Sequence, residues 1–243
     1  MSTLFYRFLW LAAFLLSIYF FSESTPLSNF PERKVISANS GKKHLVLLGA
    51  SVGKAWNLPF LPQRIKKCYY TFEYVGEYKF DKSAKLEEIL SRQKGRPDGI
   101  VLKECATYFP GNLSHYQILM KQWVKECQEA KVVPILMTLA PVTRLHPYKI
   151  FLINLLKARK PLPQHDPFSR KRIKGILEYN GWIRNYCKEN GLAIVDLEAA
   201  LHYSDKNRYL REDFARRDGL HLNSKAYKAL DQIIIPVLDK VNW

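Results

Sequence analysis

Five apolar runs of strand length, separated by stretches with helical spacing, constrain this chain more than any other feature. They fall at 44–48 (HLVLL), 68–75 (CYYTFEYV), 99–104 (GIVLKE), 132–139 (VVPILMTL) and 192–197 (LAIVDL). Between and after them, 83–92, 113–130, 170–190 and 224–240 place apolar residues three and four apart, the signature of a helix with one buried face. Strand and helix patterns in alternation imply a parallel sheet. Its strands read as nearly unbroken apolar runs because helices cover both faces. The expectation is an α/β domain of three layers, α/β/α, around a parallel five-stranded sheet. Of the 243 residues, about 200 lie beyond the N-terminal region, enough for one domain with a full core. There is no internal repeat. The least regular part, 141–169, carries an apolar helical piece at 148–156 between proline-bearing ends. It reads as an insertion at the edge of a site, either a surface excursion or a lid.

The first two dozen residues stand apart from that core. Segment 8–21 (FLWLAAFLLSIYFF) holds no charge, with Arg7 before it and Glu23 after it. Counted from Leu4, the stretch is about 27 Å long as a helix at ~1.5 Å per residue, short for a membrane span and long for a signal-peptide core. Segment 1–24 is read as a signal peptide or an N-terminal membrane anchor, 25–43 as a linker and 44–243 as the domain. Either reading of 1–24 exports the domain, to be periplasmic or held at the membrane by that segment.

Charge bears on partners. Thirty-eight basic against 22 acidic residues give a formal net charge of +16. Between Arg144 and Lys174 stand nine Lys/Arg against the single Asp166. For an exported domain this favours an anionic membrane surface or an acidic glycan over nucleic acid, with a plain solvated basic surface as the simplest account. Cys68, Cys105, Cys127 and Cys187 are widely spaced and form no ligand cluster, so no metal or other cofactor is expected. Three disulfide pairings are conceivable, and four free thiols equally so.

The first apolar run ends in Gly49-Ala50-Ser51-Val52-Gly53-Lys54. A phosphate-binding loop needs four residues between its glycines and a hydroxyl after its lysine. Here three residues intervene and Ala55 follows the lysine. The stretch is instead a literal GxSxG, the turn from strand to helix that presents a serine hydroxyl at a sheet edge. Alone it is a weak signal, since serine often merely caps a helix. A nucleophilic serine needs a base, and the base an orienting acid. Asp218-Gly-Leu-His221, just before the last helix, supplies both at a spacing that lets the carboxylate accept from one imidazole nitrogen. In a doubly wound sheet whose first strand is central, the two places meet at the carboxyl edge.

With LLGASVG at 47–53, IVDLEAAL at 194–201 and RRDGLHLNSKAY at 216–227, the chain resembles the SGNH, or GDSL-type, esterases and lipases over about 44–240. The resemblance implies a flavodoxin-like sheet, Ser51 as nucleophile, His221 as base and Asp218 as its orienting acid, acting on an ester; export and the basic surface point to an acylated glycan as that substrate, with a lipid ester as the next choice. An ordinary α/β-hydrolase would place several strands ahead of its serine. The oxyanion hole implied by the family comprises the Ser51 amide, a glycine amide for which Gly76 is the nearest candidate with Lys79 or Phe80 as the alternative occupants of that place, and an asparagine position taken here by Thr107. Asn112 is expected to reach substrate from the following loop. The chain departs from the family in having Ala50 for the aspartate beside the nucleophile, and LKECATYFPGN at 102–112 where Gly-x-Asn-Asp is expected. That departure leaves a glycan-binding protein on the same fold as the alternative to an enzyme.

Overall fold

The computed structural model describes residues 41–66, 68–109, 111–156 and 170–243. Segment 1–24, and the linker up to residue 40, lie outside the described residues. Among the described residues no helix is long and apolar enough to cross a membrane.

Five parallel strands form the central sheet in the order β2-β1-β3-β4-β5. They are β1 (Lys43–Gly49), β2 (Tyr70–Gly76), β3 (Gly99–Leu102), β4 (Val133–Met137) and β5 (Ala193–Val195). The first strand takes its first residue, Lys43, from the segment read as linker. Alternation along β1 divides the core: Leu45 and Leu47 face one layer, Val46 and Leu48 the other, all fully buried.

Helices α1 (Ser51–Trp56), α2 (Leu61–Arg64), α7 (Leu197–Leu201) and α8 (Ser224–Leu238) pack on the first face. Helices α3 (Ser83–Leu90), α4 (Leu113–Glu129) and α6 (Lys171–Glu189) cover the second. In α4 the buried residues Tyr116, Leu119, Met120, Trp123, Val124 and Cys127 recur at the spacing that lines one helix face. Asn223 caps α8, its side chain accepting from the amides of Lys225 at 3.0 Å and Ala226 at 3.1 Å. All four cysteines are free thiols.

Two stretches differ from the sequence reading. The run at 99–104 leaves the sheet after Leu102; Lys103 makes one last backbone bond, to Leu48 O at 3.0 Å, and the chain then turns into a short 3₁₀ segment at Ala106–Tyr108. A short antiparallel hairpin, β6 (His202–Ser204) and β7 (Asn207–Leu210), follows α7 where no strand is expected. The excursion after β4 holds α5 (His146–Leu156), an apolar helix of which only His146 is buried. The rest of that excursion, 157–169, lies outside the described residues.

Because β1 connects to β2 on one side and is flanked by β3 on the other, the chain reverses its winding beside β1. The crevice of a doubly wound sheet opens at the carboxyl ends of the strands at such a point.

Candidate active site

The turn after β1 is built by close approaches. A Cβ on Gly49 would meet Lys103 O at 3.0 Å and Lys103 Cβ at 3.1 Å; one on Gly53 would meet Leu47 Cδ2 at 3.1 Å and a Tyr74 ring carbon at 3.3 Å. The two glycines of GxSxG thus let β1 run against the continuation of β3 and let α1 lie close on the sheet. Ser51 opens α1, half-buried, after an extended Ala50, and no side chain caps the helix. The amides of that first turn are left without a cap at the edge.

The acid–base turn is tied down from inside. Asp218 Oδ1 accepts the amides of Leu220 and His221, each at 2.9 Å, and Oδ2 lies 2.5 Å from His221 Nδ1. Burial on its own would raise the Asp218 pKa. The imidazole and the two amides outweigh it and hold the carboxyl well below the usual carboxylate range. The His221 side chain is 39% exposed, and its second nitrogen makes no hydrogen bond to another described residue.

Helices α1 and α8, into which these two segments lead, are joined on the first face of the sheet. Trp56 Nε1 donates to Asp231 Oδ1 at 2.8 Å, and the Arg64 Nε and Nη2 donate to the same carboxylate at 2.7 and 2.9 Å. Trp56 lies five residues into α1 and Asp231 seven into α8, so at ~1.5 Å per residue both helices start about 7–11 Å back from that contact. Among the described residues no hydrogen bond joins Ser51 to His221 directly. Such bonds are often long in unliganded sites and tighten around a reactant.

The other residues expected at the site are placed as follows. Gly76 ends β2 in register with Gly49, and the Glu77 amide donates to Gly49 O at 3.1 Å. In a parallel ladder the residue between two bonded ones points its own amide outward, so the Gly76 amide faces away from β1. Thr107 sits in a short 3₁₀ turn, exposed, with Oγ1 3.0 Å from Cys105 Sγ. Asn112 spends its side-chain amide on Tyr108 O at 2.8 Å, at the entrance to α4.

Behind Cys105 lies a cluster that sequence reasoning missed. Lys82 and Glu104 form an ion pair at 2.8 Å with both side chains fully buried, and Lys82 also donates to Lys79 O. Glu104 Oε1 has no hydrogen-bond partner among the described residues. Burial pushes the Glu104 carboxyl up to about 7, against the pull of Lys82, Lys103 and the Cys105 amide. Lys103, equally buried, donates to Glu104 O at 2.8 Å, and burial brings it down to about 8. Two charges at the end of an apolar strand run were the available signal: polar residues placed there are buried as the strand meets the edge.

A second buried group approaches the acid–base turn from the chain after β4. His146, 1% exposed, lies with Nδ1 2.7 Å from Asp218 O, and Arg172 Nη1 lies 3.3 Å from its Nε2. Nothing in the sequence around either residue marks them, since their proximity exists only in three dimensions. Among the described residues no group of three His, Cys, Asp or Glu side chains could hold a metal ion.

No family model and no curated protein matches the chain. Solved structures do. A GDSL-like lipase from Bacteroides thetaiotaomicron superposes with a TM-score of 0.61 at 14% identity, covering 85% of this chain and 92% of its own. A member of the lipolytic G-D-S-L family from Veillonella parvula gives 0.56 at 11%, covering 82% and 99%. An acetylxylan esterase from Geobacillus stearothermophilus gives 0.54 at 13%, covering 82% and 95%. At these identities the likeness is one of fold: the chain has the three-layer α/β/α architecture of the GDSL-type hydrolases.

Proposed function

We propose that this chain, built on the GDSL-hydrolase fold, is a serine esterase in which Ser51, His221 and Asp218 act as one unit. The observation that carries the proposal is the Asp218–His221 pair, 2.5 Å apart, on the turn leading into α8; that Ser51, at the end of β1, faces this pair across the carboxyl edge is part of the proposal. His221 Nε2 takes the Ser51 proton as Oγ attacks the acyl carbonyl. The imidazolium then protonates the leaving alcohol, giving an acyl-serine and a neutral imidazole. In the second half a water loses its proton to His221 while attacking the acyl carbon; Ser51 leaves with that proton, and the acid is released. Asp218, held ionised, keeps the proton of the neutral ring on Nδ1 and stabilises the imidazolium. The Ser51 amide, opening the uncapped α1, donates to the oxyanion, with the Thr107 hydroxyl as the second donor. An acceptor alcohol in place of water makes the same machinery an acyltransferase.

For substrate we propose an O-acetyl ester of an envelope glycan, on a protein exported or anchored by 1–24. An acetylxylan esterase among the fold neighbours and the basic surface support this.

A fluorophosphonate probe on the intact protein tests the chemistry. Labelling that disappears in Ser51→Ala, with p-nitrophenyl acetate hydrolysis above that variant, is the expected result. Absence of both favours the second reading, a glycan-binding protein without catalysis, which Cys105 and Thr107 in place of the family's glycine and asparagine support. Recovery of the protein in the cytoplasmic fraction would contradict export.

A further inference from the structure

We propose that His146 and Arg172 are positioning residues that hold the Asp218–His221 turn from outside, an inference that rests on the triad assignment above. Two successive carbonyls of the turn are gripped by the chain after β4. His146 Nδ1 donates to Asp218 O at 2.7 Å, and the Thr143 amide donates to Gly219 O at 2.8 Å. The imidazole's proton position is set by its other side. Arg172 offers only donors, so Nε2 accepts from Nη1 at 3.3 Å and the single proton of the neutral ring sits on Nδ1, facing the carbonyl. Arg172 is 3% exposed and His146 1%. The donor side of the grip is therefore buried while its acceptor residue, Asp218, is half-buried, and a lost donor leaves the carbonyl with a poorer partner.

The fit is steric as well. Gly219 has φ +71°, and a Cβ there would lie 2.2 Å from Thr143 Oγ1 and 3.2 Å from His146 Cβ. Segment 143–146 occupies the space that a side chain on the turn would take. Asp218 is thus fixed at both ends: its carboxylate by the amides of Leu220 and His221, its carbonyl by His146. Arg172 stands in the first turn of α6, a helix that covers the face opposite α8. The chain Arg172–His146–Asp218 carries the rigidity of one helical layer around the sheet edge to a turn that belongs to the other.

The test compares His146→Leu, which removes the donor, with His146→Asn, whose side-chain amide can donate to the same carbonyl. Arg172→Met, which frees only Nε2, is the milder third variant. His146→Leu is expected to lower kcat about 10- to 100-fold with KM changed far less, the size of a small misplacement of a catalytic group. His146→Asn restores most of the rate, and Arg172→Met falls between. A second readout needs no turnover: the downfield proton of the His221 Nδ1–Asp218 bond, assigned by its loss in His221→Gln. In His146→Leu this signal disappears or broadens while the dispersed core resonances remain, and in His146→Asn it persists. An unchanged signal and kcat in His146→Leu would overturn the inference. So would equal losses in the Leu and Asn variants, which would mean packing alone. Should His146→Leu fail to fold, Arg172→Met decides by the same two measures. If wild-type protein takes no fluorophosphonate label, the esterase proposal fails, and the proton signal still decides the positioning role.

Discussion

Two segments at the carboxyl edge solve opposite problems. In the acid–base turn, 216–221, the charged groups are partly exposed and every constraint serves their orientation. Asp218 is matched by two amides and an imidazole, and its backbone is held by His146. In the segment after β3, 103–107, the charges point inward. Lys82, Lys103 and Glu104 are buried, and Glu104 Oε1 has no hydrogen-bond partner among the described residues. Only Cys105 and Thr107 face outward. One segment fixes an imidazole against an ionised carboxylate. The other holds the frame of the edge with buried ions, at a cost in desolvation that good pairing offsets only in part. A carboxylate at the surface of a site keeps its charge cheaply, whereas one in the core keeps it only while its partner stays.

Breaking the first segment should have the largest effect. Asp218→Asn leaves the turn's packing but not the charge that keeps the neutral ring's proton on Nδ1, so kcat is expected to fall about 10⁴-fold, roughly 5.5 kcal/mol. Steady-state kinetics with p-nitrophenyl acetate measures this, and a fall under tenfold would remove Asp218 from the mechanism.

Breaking the second should act on stability rather than chemistry. Lys82→Met strands Glu104 and is expected to cost about 3–5 kcal/mol in a urea titration. Lys82→Met with Glu104→Leu should recover most of it, because both charges go together. If the double variant is no better than the single one, the pair is not what holds this edge.

Between them lies Thr107, the outward-facing residue of the inward-facing segment. Thr107→Val is expected to lower kcat about 100-fold, some 2.7 kcal/mol, the worth of one oxyanion donor, without loss of thermal stability. An unchanged kcat would assign the second donor elsewhere.

The last expected effect, read as a slope rather than as a loss, is a pH dependence peculiar to the buried cluster. Glu104 is raised from 4.5 to about 7 in the fold, so its contribution is full below 4.5 and is lost as pH rises through 7. Lys103 is lowered from 10.5 to about 8, so its contribution is full above 10.5 and is lost as pH falls through 8. Together they put a dip in stability between pH 7 and 8. Urea midpoints across pH 4–11 should show it. Glu104→Gln should remove the acid-side slope and Lys103→Met the alkaline one; parallel curves for all three proteins would contradict the assignment.

Much of the architecture was legible because it follows from local periodicity. The runs at 45–48 and 132–137 are apolar throughout since both faces of their strands are covered, and the spacing in 113–130 fixes which side of α4 turns inward. The Asp218–His221 contact was legible for the same reason: the two residues are three apart and meet within one turn. Gly76 shows the limit. Its residue type suited an oxyanion donor, but the direction of its amide follows from the register of β2 on β1, which periodicity does not specify.

What the sequence determined by itself is everything that depends on neighbours along the chain: the alternation of strand and helix, the layer each face seeks, the turn chemistry at Gly49 and Gly53, the pairing of Asp218 with His221. The tertiary structure alone decided what depends on distance through space. It set Lys82 against Glu104 across 22 residues, Arg172 on His146 across 26, and His146 on Asp218 across 72. The physical reason is that a charge or a donor has no fixed character of its own. Its worth is set by how much water the fold removes from it and by what the fold puts there instead.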